Sequence, residues 1–308
     1  MSDTEPTKKT YTLASGDKMP AIGLGTWQSG KNEVSEAVKH ALSVGYRYID
    51  TALAYGNEHE VGEGIRASGV PREQIWVTTK LDNPWHKRVA EGIDTSLKNL
   101  GLEYVDLYLM HWPSSTRPDD LKKHYDDWNF IDTWREMQKL VGTGKVRNIG
   151  VSNFGIRNLE KLLNDPSCKD VGLIPELEQI KPAVNQIELH PNNPSPKLVA
   201  YCKEKGIHVT GYSCLGSTNS PLYKDKTLLS IAESKGKTPQ QILLHWGIQN
   251  GWDVIPKSVN KDRISSNFDI DGWSLTEDEM NKLSNLPDRF KVCRDDWLPI
   301  KVFFGDDE

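Results

Sequence analysis

At 308 residues, with 37% hydrophobic and 26% charged side chains, the chain has room for one large α/β domain or two average ones. A net charge of −5 with interspersed signs leaves no basic face for nucleic acid or acidic lipid, and no apolar run reaches the roughly 18–20 residues that would span a bilayer. The polar start, MSDTEPTKKT, reads as neither signal peptide nor anchor, and Cys168, Cys202, Cys214 and Cys293 lack C-x-x-C spacing, so free thiols in a cytoplasmic setting are expected.

In chain order, YTLASGD and MPAIG surround a Ser-Gly-Asp turn and predict an opening β-hairpin. Strand patterns follow at 21–26, 46–52, 74–81, 105–112, 146–153, 183–189, 208–214 and 253–258. Helix-period segments alternate with them at 32–45, 57–69, 87–101, 129–144, 156–165, 195–206, 227–236 and 261–269, several ending in the glycine that stops a helix. Two further helices, 238–251 and 276–286, read as insertions, and 164–182 reads as one long loop with a helical turn. No linker or low-complexity segment interrupts the pattern. Eight strand–helix units predict a single domain over 1–308, a (β/α)8 barrel whose base the N-terminal hairpin closes. A doubly wound sheet is the alternative.

Chemistry in such a barrel sits where strands exit toward their helices. The expected exits carry Asp50, Lys80, His111, Asn153, Gln186, Tyr212 and Lys257. Turn formers would fill these places if they were only structural, with Asp50 capping the next helix and Tyr55 packing on it. Burying a lone Lys or Asp instead costs several kcal/mol unless it is paired, and Asp50 and Lys80 on neighbouring strands can satisfy each other. A cation near Tyr55 would lower a phenol pKa that is ordinarily near 10. His111 beside them could hydrogen-bond a substrate oxygen. That set suits protonation of a carbonyl during reduction, and since no side chain donates a hydride a cofactor must.

The chain resembles the aldo-keto reductases. The likeness runs in the family's order over roughly residues 10–270 through GLGTW, GYRYIDTALAYGNE, TTKL, VDLYLMHWP, GKVRNIGVSNF, PAVNQIELHP, GIHVTGYSCLGS and VIPKSVNKDRISSNF. It implies a TIM barrel binding extended NADP(H) without a Rossmann domain, consistent with GLGTWQ not completing G-x-G-x-x-G. The carried-over catalytic set is Asp50, Tyr55, Lys80 and His111, with Tyr55 as general acid. Ser152, Asn153 and Gln186 match the nicotinamide carboxamide contacts, and Tyr212 the ring under the nicotinamide. Ser213, Leu215 and Ser217 match the pyrophosphate loop. Lys257, Ser258 and Arg263 match the 2′-phosphate pocket, and Asn267 an adenine contact.

Trp27 and Trp112, just past strand ends, are expected on an aromatic substrate wall, and the aromatic tail is expected to bring Trp297 across the catalytic mouth. Trp128 is balanced between wall and core, and His190 reads as structural. No metal-ligand spacing occurs, His59 and Glu60 included. Three departures from the family pattern stand out. Ser266 replaces a frequent Glu, Cys214 stands where Pro is common, and LDNPW delays to Trp85 a Trp that usually follows the active-site lysine closely. The segment after HWP is short and charged, which predicts an open rim.

GVPREQIWVTTKL, LGLEYVDLYLMHWP and WNFIDTW look most like fungal glycerol dehydrogenase and glyceraldehyde reductase members. The expected activity is therefore reversible NADPH-dependent reduction of aldehydes and ketones, with small polyol-related carbonyls first, in a monomer. Sugar reductases of the xylose type are the alternative. A non-catalytic NADP-binding regulatory subunit, as in potassium-channel β subunits, is disfavoured by the complete catalytic set and the lack of a docking extension. A Schiff-base aldolase using Lys80 is a third reading, which borohydride trapping would separate from a reductase.

Overall fold

The structure, a computed structural model, describes residues 3–166, 180–217 and 220–305. The loop expected over 164–182 lies largely outside them, as does Cys168. The opening hairpin pairs β1 (Thr10–Thr12) with β2 (Lys18–Pro20) antiparallel. Eight parallel strands follow: β3 (Leu24–Gly25), β4 (Tyr48–Asp50), β5 (Trp76–Leu81), β6 (Val105–Met110), β7 (Val146–Ser152), β8 (Val184–Glu188), β9 (His208–Tyr212) and β10 (Asp253–Val254). They pair in chain order, and parallel bridges Ile22–Val254 and Gly25–Lys257 join first to last, closing the barrel.

Closure needs a glycine. A Cβ on Gly25 would lie 2.7 Å from the Ile255 carbonyl oxygen, so only a bare backbone lets β3 approach the chain after β10 this closely.

The helices α1 (Lys31–Val44), α2 (Glu58–Ser68), α3 (Val89–Leu100), α4 (Phe130–Gln138), α5 (Ile156–Asn164) and α6 (Pro196–Glu204) cover the outside. Their apolar stripes, such as Val34, Val38, Ala41 and Leu42 on α1, meet outward strand residues such as Ile49, Val77 and Tyr108 in the main core. Inward residues alternate with these. Tyr48, Trp76, Leu107, Leu109, Val184 and Ile255 fill the barrel interior, and Leu13 and Met19 from the hairpin segment join them from below.

Four helices remain: α7 (Lys226–Lys235), α8 (Pro239–Asn250), α9 (Lys261–Phe268) and α10 (Glu277–Ser284). Here the pattern is corrected. The 238–251 segment, expected as an insertion, is the crossover packed on β10 and α9, while α7 lies outside against α8 and α10. Gln241 through Ile248 are all buried in α8, whereas α7 buries only Leu228, Ile231 and Ala232. A helix apolar around its circumference belongs inside.

Candidate active site

Asp50 ends β4 and Lys80 is the penultimate residue of β5, and since Ile49 and Leu81 belong to the outer core, the strand pleat turns Asp50 and Lys80 inward. Lys80 is 0% exposed and donates from Nζ to Asp50 Oδ1 at 2.6 Å, Thr51 O at 2.8 Å and Tyr55 OH at 3.2 Å. Every ammonium proton has an acceptor. Asp50 Oδ2 accepts from Gln186 Nε2 across the barrel at 2.8 Å. An ion pair so matched avoids the cost of an unpaired buried charge. Asp50 therefore does not cap α2, which begins after Asn57. Asn57 Nδ2 donates to Thr26 O at 2.9 Å, fixing the far end of the short turn, Leu53–Tyr55, that presents the phenol.

Tyr55 and His111 meet edge to face with ring centroids 5.7 Å apart. Burial, then the Lys80 charge, holds His111 well below its ordinary pKa, so the imidazole is neutral at pH 7. His111 Nδ1 is buried with no partner among the described residues, which favours the tautomer with its proton on Nε2. The expected net lowering of the Tyr55 pKa is corrected. Burial raises it above 10.0, and Lys80 pulls it back only in part, because Asp50 opposes that cation.

The exits of β7 to β9 extend the site. Asn153, in the left-handed region at φ 62, donates from Nδ2 to His111 O at 3.0 Å and accepts from Tyr212 OH at 2.6 Å. Ser152 Oγ donates to Gln186 O at 2.8 Å. Ser213 at φ 47 and Ser217 at φ 65 are also left-handed, and strained non-glycine backbone gathers at functional loops. Between them Leu215 O accepts from Tyr223 OH at 2.6 Å.

Past β10, Lys257 and Arg263 are exposed and have no anionic partner among the described residues. Asn260 Oδ1 accepts from Arg263 N at 3.0 Å and caps α9, whose N-terminal dipole adds positive potential. Ser258 Oγ accepts from Asn260 N at 3.1 Å, and Asn267 lies buried on the same helix. Two unpaired cations beside a helix start fit a phosphate dianion, and the Tyr212 ring, with the amides of Asn153 and Gln186, fits an aromatic carboxamide. The residues present suit NADP(H).

All the candidate residues except Trp128 and Lys80, the latter lying beneath, line one cavity of about 1190 Å³. Trp112 is 7% exposed, while Trp27 at 44% and Trp297 at 59% stand at its rim. Trp297 and Phe303 meet Trp112 edge-on at 5.5 and 5.8 Å, so the tail crosses the mouth. Trp128 is not on the wall and donates instead to Thr133 Oγ1 at 2.9 Å.

Sequence reasoning missed Glu188. Its carboxylate accepts from Val292 N at 2.7 Å, Cys293 N at 2.8 Å and the buried His190 ring at 2.8 Å, and so pins the tail. The signal was present, since Glu188 lies two residues past Gln186 on the same inward face. Asp82, Asn83 and Cys293 also line the cavity and were not singled out. Among the described residues no group of three or more His, Cys, Asp or Glu side chains could hold a metal, and no helix is long and apolar enough to cross a membrane.

Known proteins resemble this chain over most of its length. The profile described as "Aldo/keto reductase family" matches residues 21–287. The chain is 44% identical to glycerol 2-dehydrogenase (NADP(+)) of Saccharomyces cerevisiae, over 96% of this chain and 97% of the relative. It is also 44% identical to aldehyde reductase YPR1 of the same yeast, over 90% of each. A Bombyx mori aldo-keto reductase crystallised with NADP superposes with TM-score 0.79 at 38% identity, covering 90% of this chain and 92% of that one. The chain belongs to the aldo/keto reductase family and is an NADP(H)-dependent oxidoreductase.

Proposed function

We propose that this protein reduces short hydroxylated aldehydes of the glyceraldehyde type to polyols, reversibly, with NADPH as reductant. The observation that carries the mechanism is Lys80 Nζ, held between the Asp50 carboxylate and the Tyr55 hydroxyl. In this reading Ser152, Asn153, Gln186 and Tyr212 hold the nicotinamide end, the loop of Ser213, Leu215 and Ser217 holds the pyrophosphate, and Asn267 holds the adenine. Lys257, Ser258 and Arg263 hold the 2′-phosphate. The chemistry that NADPH supplies when bound is hydride donation to the carbonyl carbon. His111 orients the carbonyl oxygen with a neutral N–H, and Tyr55 gives that oxygen a proton. Lys80 stabilises the phenolate left behind, and Asp50 holds Lys80. In alcohol oxidation Tyr55 takes the proton back. Trp27, Trp112 and Trp297 exclude water from the carbonyl.

The likeness to glycerol 2-dehydrogenase supports the substrate class. Tyr55→Phe should keep NADPH binding and lose turnover by roughly 10²–10⁴-fold, the range of general acid catalysis. In an NADPH-oxidation screen over glyceraldehyde, xylose, methylglyoxal and an aromatic aldehyde, glyceraldehyde should give the highest kcat/KM. Near-normal turnover of Tyr55→Phe would remove the phenol from its role, and a better xylose than glyceraldehyde would move the substrate to sugars.

Residues 1–308 act in this reading as one barrel domain and as a monomer. The large exposed apolar side chains among the described residues number four, Trp27, Leu121, Leu229 and Trp297, and two of them are taken up at the cavity rim, which supports the monomer. Light scattering near 34.8 kDa would bear this out, and twice that mass would refute it. The free thiols of Cys214 and Cys293 suit a cytoplasmic location, which imaging of a tagged chain would test.

A further inference from the structure

Asp82 and Asn83 stand where the sequence departs from its family, in LDNPW after the active-site lysine. The β5–β6 register pairs Leu81 with Met110, and His111 N donates to Leu81 O at 3.2 Å, so Asp82 lies beside His111. The pleat that turns Lys80 inward turns Asp82 inward as well, one step nearer the mouth, and both Asp82 and Asn83 line the catalytic cavity.

Both are short of partners. Asp82 Oδ1 accepts from Asn83 N at 2.8 Å, capping the turn Asn83–Trp85, and Oδ2 has no partner among the described residues. Its half-buried carboxylate faces no cation in an ion pair, and burial pushes its pKa up. Asn83 is 4% exposed, and its Oδ1 is buried without a hydrogen bond among the described residues. A buried acceptor left unsatisfied, as Asn83 Oδ1 is, calls for a donor from elsewhere, and the second Asp82 oxygen, on the cavity wall, can take one too. A carbonyl brings none, because its oxygen only accepts. A hydroxyl on the neighbouring carbon brings one.

We propose that Asp82 and Asn83 form a hydroxyl-reading subsite beside His111 that selects aldehydes bearing a hydroxyl next to the carbonyl. This rests on the reductase reading above and names what within the site chooses the substrate. With the aldehyde oxygen held at Tyr55 and His111, the adjacent hydroxyl donates to the Asp82 carboxylate. A site whose buried polar groups await a hydroxyl rejects the analogue that lacks it, because binding the analogue leaves those groups unpaired. The bulky indole expected near this position would read apolar surface instead.

The test compares glyceraldehyde with propanal, which has the same carbon count and no hydroxyls. Two variants are used: Asp82→Ala, and Asp82→Asn, which preserves shape and the turn cap. NADPH fluorescence titration shows that each has folded. The expected result is a ratio of kcat/KM for glyceraldehyde over propanal that falls about tenfold or more in Asp82→Ala and by less in Asp82→Asn, mainly through the KM for glyceraldehyde. A ratio unchanged within twofold in both variants, with a wild-type preference for glyceraldehyde, overturns the subsite and leaves the substrate class intact. Equal losses for both aldehydes overturn it too, because Asp82 would then serve His111 rather than a hydroxyl. A wild type that prefers propanal overturns the substrate class and this subsite together.

Discussion

Lys80 shows how one side chain can be structural and chemical at once. Its three donors go to Asp50, Thr51 and Tyr55, and it is fully buried, so both its charge and its position are fixed. Lys80→Met removes the cation at similar length and leaves Asp50 buried and unpaired, which costs roughly 3–5 kcal/mol. Adding Asp50→Asn should recover most of the lost thermal stability but not activity. The sign of the pH effect follows from Tyr55. Burial already holds its pKa above 10.0 and Lys80 opposes that rise, so removing Lys80 lets the pKa climb further. The alkaline limb of carbonyl reduction, which reports loss of the Tyr55 proton, should move to higher pH. Alcohol oxidation, which needs the phenolate, should fall more than reduction. An unmoved alkaline limb in Lys80→Met, where Asp50 is kept, would show that Lys80 does not tune the phenol. The gathering of Asp50, Tyr55, Lys80 and His111 was legible because a period-2 strand that ends in a charge at an inward position leaves that charge few alternatives to a shared cluster. The net direction of the Tyr55 shift was not, because it balances burial against two opposed charges whose distances exist only in the folded chain.

At the scale of elements, the strand positions were readable from apolar runs, and the helix stops from glycines such as Gly45, which sits at φ 118. The division of labour between α7 and α8 was not, because insertion and crossover differ in what they pack against rather than in their own period. The tail is intermediate. Its aromatics foretold a path over the mouth, though Trp297 stays 59% exposed at the rim rather than buried, and its anchor is a carboxylate on a different element. Glu188 on β8 holds Val292 and Cys293, while Asp295 accepts from Val302 and Phe303 at 2.7 and 2.8 Å and folds the end back on itself. Truncation after residue 290 removes Trp297 and Phe303 from Trp112. It should raise KM for carbonyl substrates several-fold and scramble their ranking, with little change in NADPH affinity. Glu188→Ala, which frees the anchor but keeps the aromatics, should give a smaller shift in the same direction. If truncation lowers thermal stability and leaves the ranking intact, the tail is packing material rather than a substrate loop.

For the whole molecule, barrel closure and the proposed site share one seam. The barrel closes where its two shortest strands, β3 and β10, meet, and the chain leaving each carries part of the site. Thr26 and Trp27 follow β3, and Lys257 and Ser258 follow β10. Thr26 Oγ1 donates to Asp50 O at 2.9 Å, and the Gly25–Lys257 bridge sets the start of the proposed phosphate end, so a shift at the seam reaches both the Asp50 carboxylate and the cations proposed to hold the cofactor. Gly25 permits this, because an added Cβ would meet backbone rather than a side chain able to rotate away. Gly25→Ala should therefore force the seam apart. Overpacking of this kind costs roughly 1–3 kcal/mol, which for a chain of this size lowers Tm by roughly 2–6 °C. NADPH affinity should fall with it, because Lys257 moves away from the rest of its groove, while a substitution that merely loosened the fold would lower Tm and leave NADPH affinity at 25 °C untouched. Calorimetry and fluorescence titration on the same sample separate the two. Wild-type Tm and wild-type affinity together would mean that the seam yields freely and that closure does not set the distance between the catalytic and phosphate-binding ends.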